Sequence, residues 1–220
     1  MKICTYKKLN YVLREPKDFS ANKKYPVVIY LHGAGGRGDN IQEIAEDSFF
    51  TATETFLKEA ISVAPQCYED SWFSIFEQLQ AFVGSVMQWD CVDKSRVYVV
   101  GASMGGYTTW QLAMSRPEWF AAILPICGGG MYWNAGRLTH MGVWAFHGKE
   151  DKIVFPEESQ KMVDAVNAKG GKAKLTLYEN TPHDAWTKTF QDKAVWEWLL
   201  SHRSKYEETQ SGYDNVKEFG

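Results

Sequence analysis

The chain has 220 residues, 45% of them hydrophobic and 23% charged, the size and mix of one globular domain rather than a disordered chain. Its 24 Lys and Arg against 27 Asp and Glu give a net charge of −3 with no basic block, which argues against nucleic acid or an anionic membrane as partner. No apolar run approaches the roughly 18–20 residues of a membrane helix. The opening "MKICTYKKLNYVLREP" lacks the continuous apolar core of a signal peptide, so membrane insertion is not expected and a cytoplasmic location is.

Taken in chain order, "ICTYKKLNYVLREP" reads as two short strands at a sheet edge, and "YPVVIYLHG" as a buried β-branched strand. After a polar glycine loop, "NIQEIAEDSFFTATETFLKEA" is a helical stretch with an interruption. "AISVAPQ" is the next strand, and "SIFEQLQAFVGSVMQW" is a helix with apolar residues at three- and four-residue steps. Then come strand "SRVYVVG", helix "MGGYTTWQLAMSRP", and strands "FAAILPIC" and "GVWAFHG". Helix "PEESQKMVDAVNAKGG", strand "AKLTLYE" and a single closing helix over "DAWTKTFQDKAVWEWLLSHR" follow. Strands alternating with helices predict a mostly parallel eight-stranded sheet covered on both faces. One domain over residues 1–202 is expected, with a polar tail over 203–220 that is loosely attached or packed on the surface. The stretch "CGGGMYWNAGRLTHMG" between two strands is too short for a large lid domain.

Cysteines 4, 67, 91 and 127 show no metal or redox spacing and are expected to be free thiols. Cys67 and Cys127 both follow apolar runs and could meet at the rim of the sheet.

The stretch that carries chemistry is "VVGASMGGYT". Ser103 stands between Gly101 and Gly105, directly after a strand and directly before a helix, the setting of a strained turn that lifts a hydroxyl above the sheet. Glycines two positions to either side leave that turn unobstructed. A serine hydroxyl needs a base to take its proton, and the base needs an orienting acid. Of five histidines, His183 in "ENTPHDAW" follows the last strand and falls at the same sheet edge as Ser103. Asp151 in "FHGKEDKIVF" follows the strand before it, with Glu150 as its rival. The bend in "YLHGAGGRGDN" leaves backbone N–H groups uncovered. Those of Ala34, with Gly35 as a further candidate, and of Met104 would face a developing oxyanion. The same loop lacks G-x-G-x-x-G and G-K-[ST], which argues against a phosphate cradle. Trp72, Trp133 and Trp186 fall in loops beside these positions and are candidate substrate-binding aromatics. His32 is a further candidate at the substrate site, as a support of the oxyanion loop.

The ordered set "YLHGAGGRGDN", "APQCYEDSWF", "VVGASMGGYTTWQLAMSRPEWFAAILPICGGG", "VWAFHGKEDKIV" and "TPHDAWT" resembles the α/β-hydrolases. Within them it is similar to the esterase group of phospholipase/carboxylesterase, polyhydroxybutyrate-depolymerase-like and feruloyl-esterase-like proteins, a group that also holds so-called predicted peptidases. The resemblance implies the order Ser103, Asp151, His183 for the triad, Ala34 and Met104 as oxyanion donors, and no metal or cofactor. It implies a serine carboxylesterase acting through an acyl-enzyme on short-chain or aromatic acyl esters, small molecules or oligosaccharides, with acyl groups of plant polysaccharide among the candidates. The alternatives are a serine peptidase of the prolyl-oligopeptidase-like type and a hydrolase fold that binds a ligand without turnover.

Overall fold

A computed structural model describes residues 1–204. Eight strands form one sheet: β1 (Lys2–Tyr6), β2 (Leu9–Arg14), β3 (Tyr25–Leu31), β4 (Ile61–Pro65), β5 (Val92–Ala102), β6 (Ala122–Ile126), β7 (Gly142–Gly148) and β8 (Lys174–Tyr178), in the spatial order β1-β2-β4-β3-β5-β6-β7-β8. β1–β2 and β2–β4 pair antiparallel, and every pair from β4 to β8 is parallel. Among the described residues the seven α-helices are α1 (Ile41–Ala45), α2 (Ser48–Ala52), α3 (Phe76–Val86), α4 (Met104–Ser115), α5 (Glu157–Ala168), α6 (Ala185–Gln191) and α7 (Lys193–Ser201).

β3, β4 and β6 are buried throughout because side chains alternate between two covered faces. Val27, Ile29 and Leu31 of β3 join one core, with Leu79, Phe82, Val83 and Val86 of α3; Val28 and Tyr30 join the other, with Phe49, Phe190 and Trp196. The α3 residues recur at i, i+3, i+4 and i+7, one stripe of a helix. In α5 the same stripe reads Ser159, Met162, Val163 and Val166, a hydroxyl where an apolar side chain is the rule.

Two expectations need correction. The closing helix is two helices: Asp192 breaks the run with extended backbone (ψ 107°), and its carboxylate caps α7 by accepting from Ala194 N–H. Cys67 and Cys127 do not meet, because β3 and β5 lie between the strands that they follow, a separation of about 14 Å at 4.8 Å per strand; all four cysteines are free. Arg203 and Ser204, grouped with the tail on sequence grounds, are held by Asp93 and Ser95. The remainder of that tail lies outside the described residues. Between β6 and β7 stands a short 3₁₀ helix, Tyr132–Leu138, and no large lid. No described helix is long and apolar enough to cross a membrane.

Candidate active site

The carboxyl ends of β3, β5, β7 and β8 converge on Ser103. Its backbone (φ 55°, ψ −115°) lies where non-glycine residues are strained, which is tolerated because neighbours on all sides fix the turn. Ser103 N–H donates to Ile126 O (2.8 Å) and its own carbonyl accepts from Tyr107 N–H (3.0 Å). The flanking glycines let two backbones touch. A Cβ on Gly105 would stand 1.9 Å from Leu31 O, and one on Gly101 would stand 2.2 Å from Gly105 O.

His183 Nε2 lies 2.8 Å from Ser103 Oγ, and its Nδ1 lies 2.6 Å from Asp151 Oδ2. A carboxylate only accepts, so Nδ1 carries the ring proton and Nε2 is left to accept from the serine hydroxyl. Asp151 is buried, and its Oδ1 accepts from Ile153 N–H (2.9 Å) and Val154 N–H (3.0 Å). Burial pushes its carboxyl up, but the hydrogen bonds from His183, Ile153 and Val154 outweigh that and hold it below the usual value. Glu150 is exposed, and its N–H is tied to Thr181 O. The structure thus brings Asp151 to His183 and leaves Glu150 in water.

Ala34 opens a 3₁₀ turn, Ala34–Gly36, and Met104 opens α4. First-turn N–H groups have no partner within their own helix, and among the described residues neither N–H has an acceptor. Gly33 brings the turn to the serine: a Cβ there would lie 3.5 Å from Ser103 Cβ. Arg37 pins the turn by donating to Ala34 O (2.8 Å) and Asp70 O (2.9 Å).

His32 and Trp72 sit beneath this loop rather than at its surface, which corrects Trp72 as a substrate contact and leaves His32 only the part of a support. His32 is 1% exposed. Its Nδ1–H donates to Gly33 O (2.6 Å), and its Nε2 accepts from Cys67 N–H (2.9 Å). Burial lowers its pKa to about 4, so the ring is neutral at pH 7. Trp72 is 0% exposed, and its Nε1–H donates to His32 O (3.1 Å). It props the loop and offers no face to a ligand. Trp186 is half-buried and stands edge-to-face against the His183 ring at 5.4 Å. Trp133 is 69% exposed beside Tyr132.

Sequence reasoning missed a groove of about 530 Å3 lined by Phe73, Phe76, Tyr107 and Met131, with Gln111 and Glu158 as its polar members. Tyr107 and Gln111 lie four and eight residues beyond Ser103, on one face of α4; that spacing was the available signal. Burial and the charges of Glu158 and Asp151 push the Tyr107 hydroxyl upward, keeping it a neutral donor.

The sequence profile of the dienelactone hydrolase family matches residues 11–194. The chain belongs to the dienelactone hydrolase family. Within it, the chain is 28% identical over 151 residues to "Probable feruloyl esterase C" of Aspergillus niger, covering 66% of this chain and 55% of that protein. It is 26% identical over 154 residues to "Feruloyl esterase C" of Emericella nidulans, with the same coverage. The chain therefore spans about half the length of these curated relatives. The crystal structure of a thermostable esterase is also similar, with TM-score 0.81 at 30% identity over 92% of this chain and 63% of that one. The eight-stranded sheet, without a large lid among the described residues, is the α/β-hydrolase fold, as the likeness to that esterase also indicates.

Proposed function

We propose that this protein is a serine carboxylesterase whose nucleophile is Ser103. The observation that carries the reading is the unbroken chain from Ser103 Oγ through both nitrogens of His183 to Asp151, beside two backbone N–H groups without acceptors. His183 takes the Ser103 proton as Oγ attacks the ester carbonyl. The new oxyanion rests on Ala34 and Met104 N–H, and His183 returns the proton to the departing alcohol. Water activated by His183 then releases the acid and restores the hydroxyl. None of these steps calls for a metal or a cofactor.

The groove beside Tyr107 supports an aromatic or short acyl group as substrate. Its walls, Phe73, Phe76 and Met131, suit a flat apolar moiety, and its volume lies in the range of small-molecule sites. The relatives' names, feruloyl esterases, favour the same class. The test is turnover of methyl ferulate, 4-nitrophenyl acetate and a peptide amide by wild type and Ser103→Ala. Hydrolysis of the two esters, slow or absent amide cleavage, and loss of activity in the variant support the reading. Amide cleavage faster than ester cleavage makes it a peptidase. Ester turnover that survives Ser103→Ala refutes it.

A further inference from the structure

The role of His147 is not accounted for by the reaction above. It ends β7 wholly buried, where an apolar residue would need no partners, yet both ring nitrogens are engaged. Nε2 faces Val154 O at 2.9 Å and Asp151 Oδ2 at 3.2 Å. Both atoms only accept, so Nε2 carries the proton. Nδ1 lies 2.8 Å from Ser159 Oγ, the hydroxyl that interrupts the apolar stripe of α5, and that hydroxyl also reaches Gly128 O at 2.8 Å. Burial lowers the pKa of His147 and so favours the neutral ring; Ser159 Oγ then has one proton for two acceptors, Gly128 O and Nδ1, and donates to one of them at a time.

Two out-of-place polar residues, one on a buried strand and one on a helix stripe, are therefore each other's partners, and their shared network ends on the carboxylate that orients His183. Cys127 Sγ lies near the same group, but it is a neutral thiol, pushed to about 12 by burial, and it donates to His183 O (3.0 Å). With Asp151 and His147 already committed to hydrogen bonds, the cluster is a network of donors and acceptors rather than a cation site.

We propose that His147 is a positioning residue: gripped by Ser159, its Nε2–H fixes the Oδ2 side of Asp151 and thereby the ring of His183. Oδ1 is set by two backbone N–H groups from the same loop, which locate the carboxylate but leave it free to swing about that anchor. His147 supplies the second point, from the rigid sheet. The inference rests on the esterase reading, since an oriented base matters only if Ser103 reacts.

The test compares His147→Gln, His147→Asn and His147→Phe with Ser103→Ala, scoring kcat and KM on 4-nitrophenyl acetate per folded molecule. The far-downfield proton resonance of the His183–Asp151 hydrogen bond is the second readout. A Gln amide reaches the place of Nε2, whereas an Asn amide reaches that of Nδ1, so only Gln keeps the donor toward Asp151. His147→Phe and His147→Asn are expected to lower kcat about 10- to 100-fold with KM changed less than about two-fold, the usual cost of losing an orienting partner. Both should shift or broaden the downfield resonance, and Gln should recover most of the loss. If Phe does not fold, the Gln and Asn pair decides. Wild-type kcat and an unmoved resonance in Asn or Phe overturn the proposal, as does Gln no better than Asn. Turnover that survives Ser103→Ala instead removes the esterase reading itself.

Discussion

At Asp151 a carboxylate is taken out of water and met by N–H donors at both oxygens, from Ile153 and Val154 on Oδ1 and from His183 on Oδ2, with His147 Nε2 3.2 Å from the same Oδ2. Its neighbour Glu150 has no such shell. Asp151→Asn should keep the fold yet lower kcat about 10³- to 10⁴-fold, because an amide can present an N–H to Nδ1 and favour the wrong tautomer. Glu150→Gln should stay within about two-fold; steady-state kinetics on one ester checks both. Both carboxylates were visible in the sequence, and the register of the strand end favoured Asp151. Trp72 and Phe73 show what was not visible: adjacent aromatics, one fully buried and one half-exposed, with nothing in composition to tell which faces the groove. Trp72→Ala should cost about 3–5 kcal/mol of stability in urea denaturation, as large aromatic-to-Ala truncations in cores do. It should leave the preference between aryl and acetyl esters unchanged.

The loop that opens after β3 is sensitive to acid. Its neutral His32 must accept from Cys67 N–H, and burial holds its folded pKa near about 4 against 6.5 for a free histidine. The unfolded chain therefore binds the extra proton first, so stability falls as pH drops from about 6.5 toward about 4 and levels off below. His32 alone accounts for about 3 kcal/mol over that window, and the lowered pKa of His147 acts in the same direction. Urea denaturation at pH 7 and pH 4.5 checks this: His32→Gln, which has no group titrating in the window, should show a shallower decline than wild type. An equal decline in both would remove His32 as the cause. Among the elements, most strands and helices were legible because β-branched runs and helical stripes differ in period. The break at Asp192 was not, since apolar residues recur on both sides of it and the Asp192–Ala194 cap is a matter of local backbone geometry.

Across the whole molecule, the topology follows from the alternation of strands and helices, and the site falls where that topology must put it, at the carboxyl ends of a parallel sheet. The groove was illegible for the opposite reason. It joins Phe73 and Phe76, Tyr107 on α4, Met131 and Glu158 on α5, residues far apart in sequence that only the packed fold brings together. With a short 3₁₀ helix where a lid would stand, long acyl chains gain little burial, whereas a closed tunnel would add about 0.8 kcal/mol per methylene. kcat/KM is expected to fall from acetyl and butyryl to palmitoyl esters in a 4-nitrophenyl series. A steady climb with chain length would show a closed apolar tunnel instead of an open groove.

The proposed reaction stands or falls with Ser103, and no other serine, as the nucleophile. Reaction with a fluorophosphonate probe, followed by intact mass and peptide mapping, tests it without assuming a substrate. One adduct per chain is expected, on Ser103, formed by wild type, slowed by about 10³-fold or more in His183→Ala and absent in Ser103→Ala. An adduct on another residue, or undiminished labelling of Ser103→Ala, would contradict it.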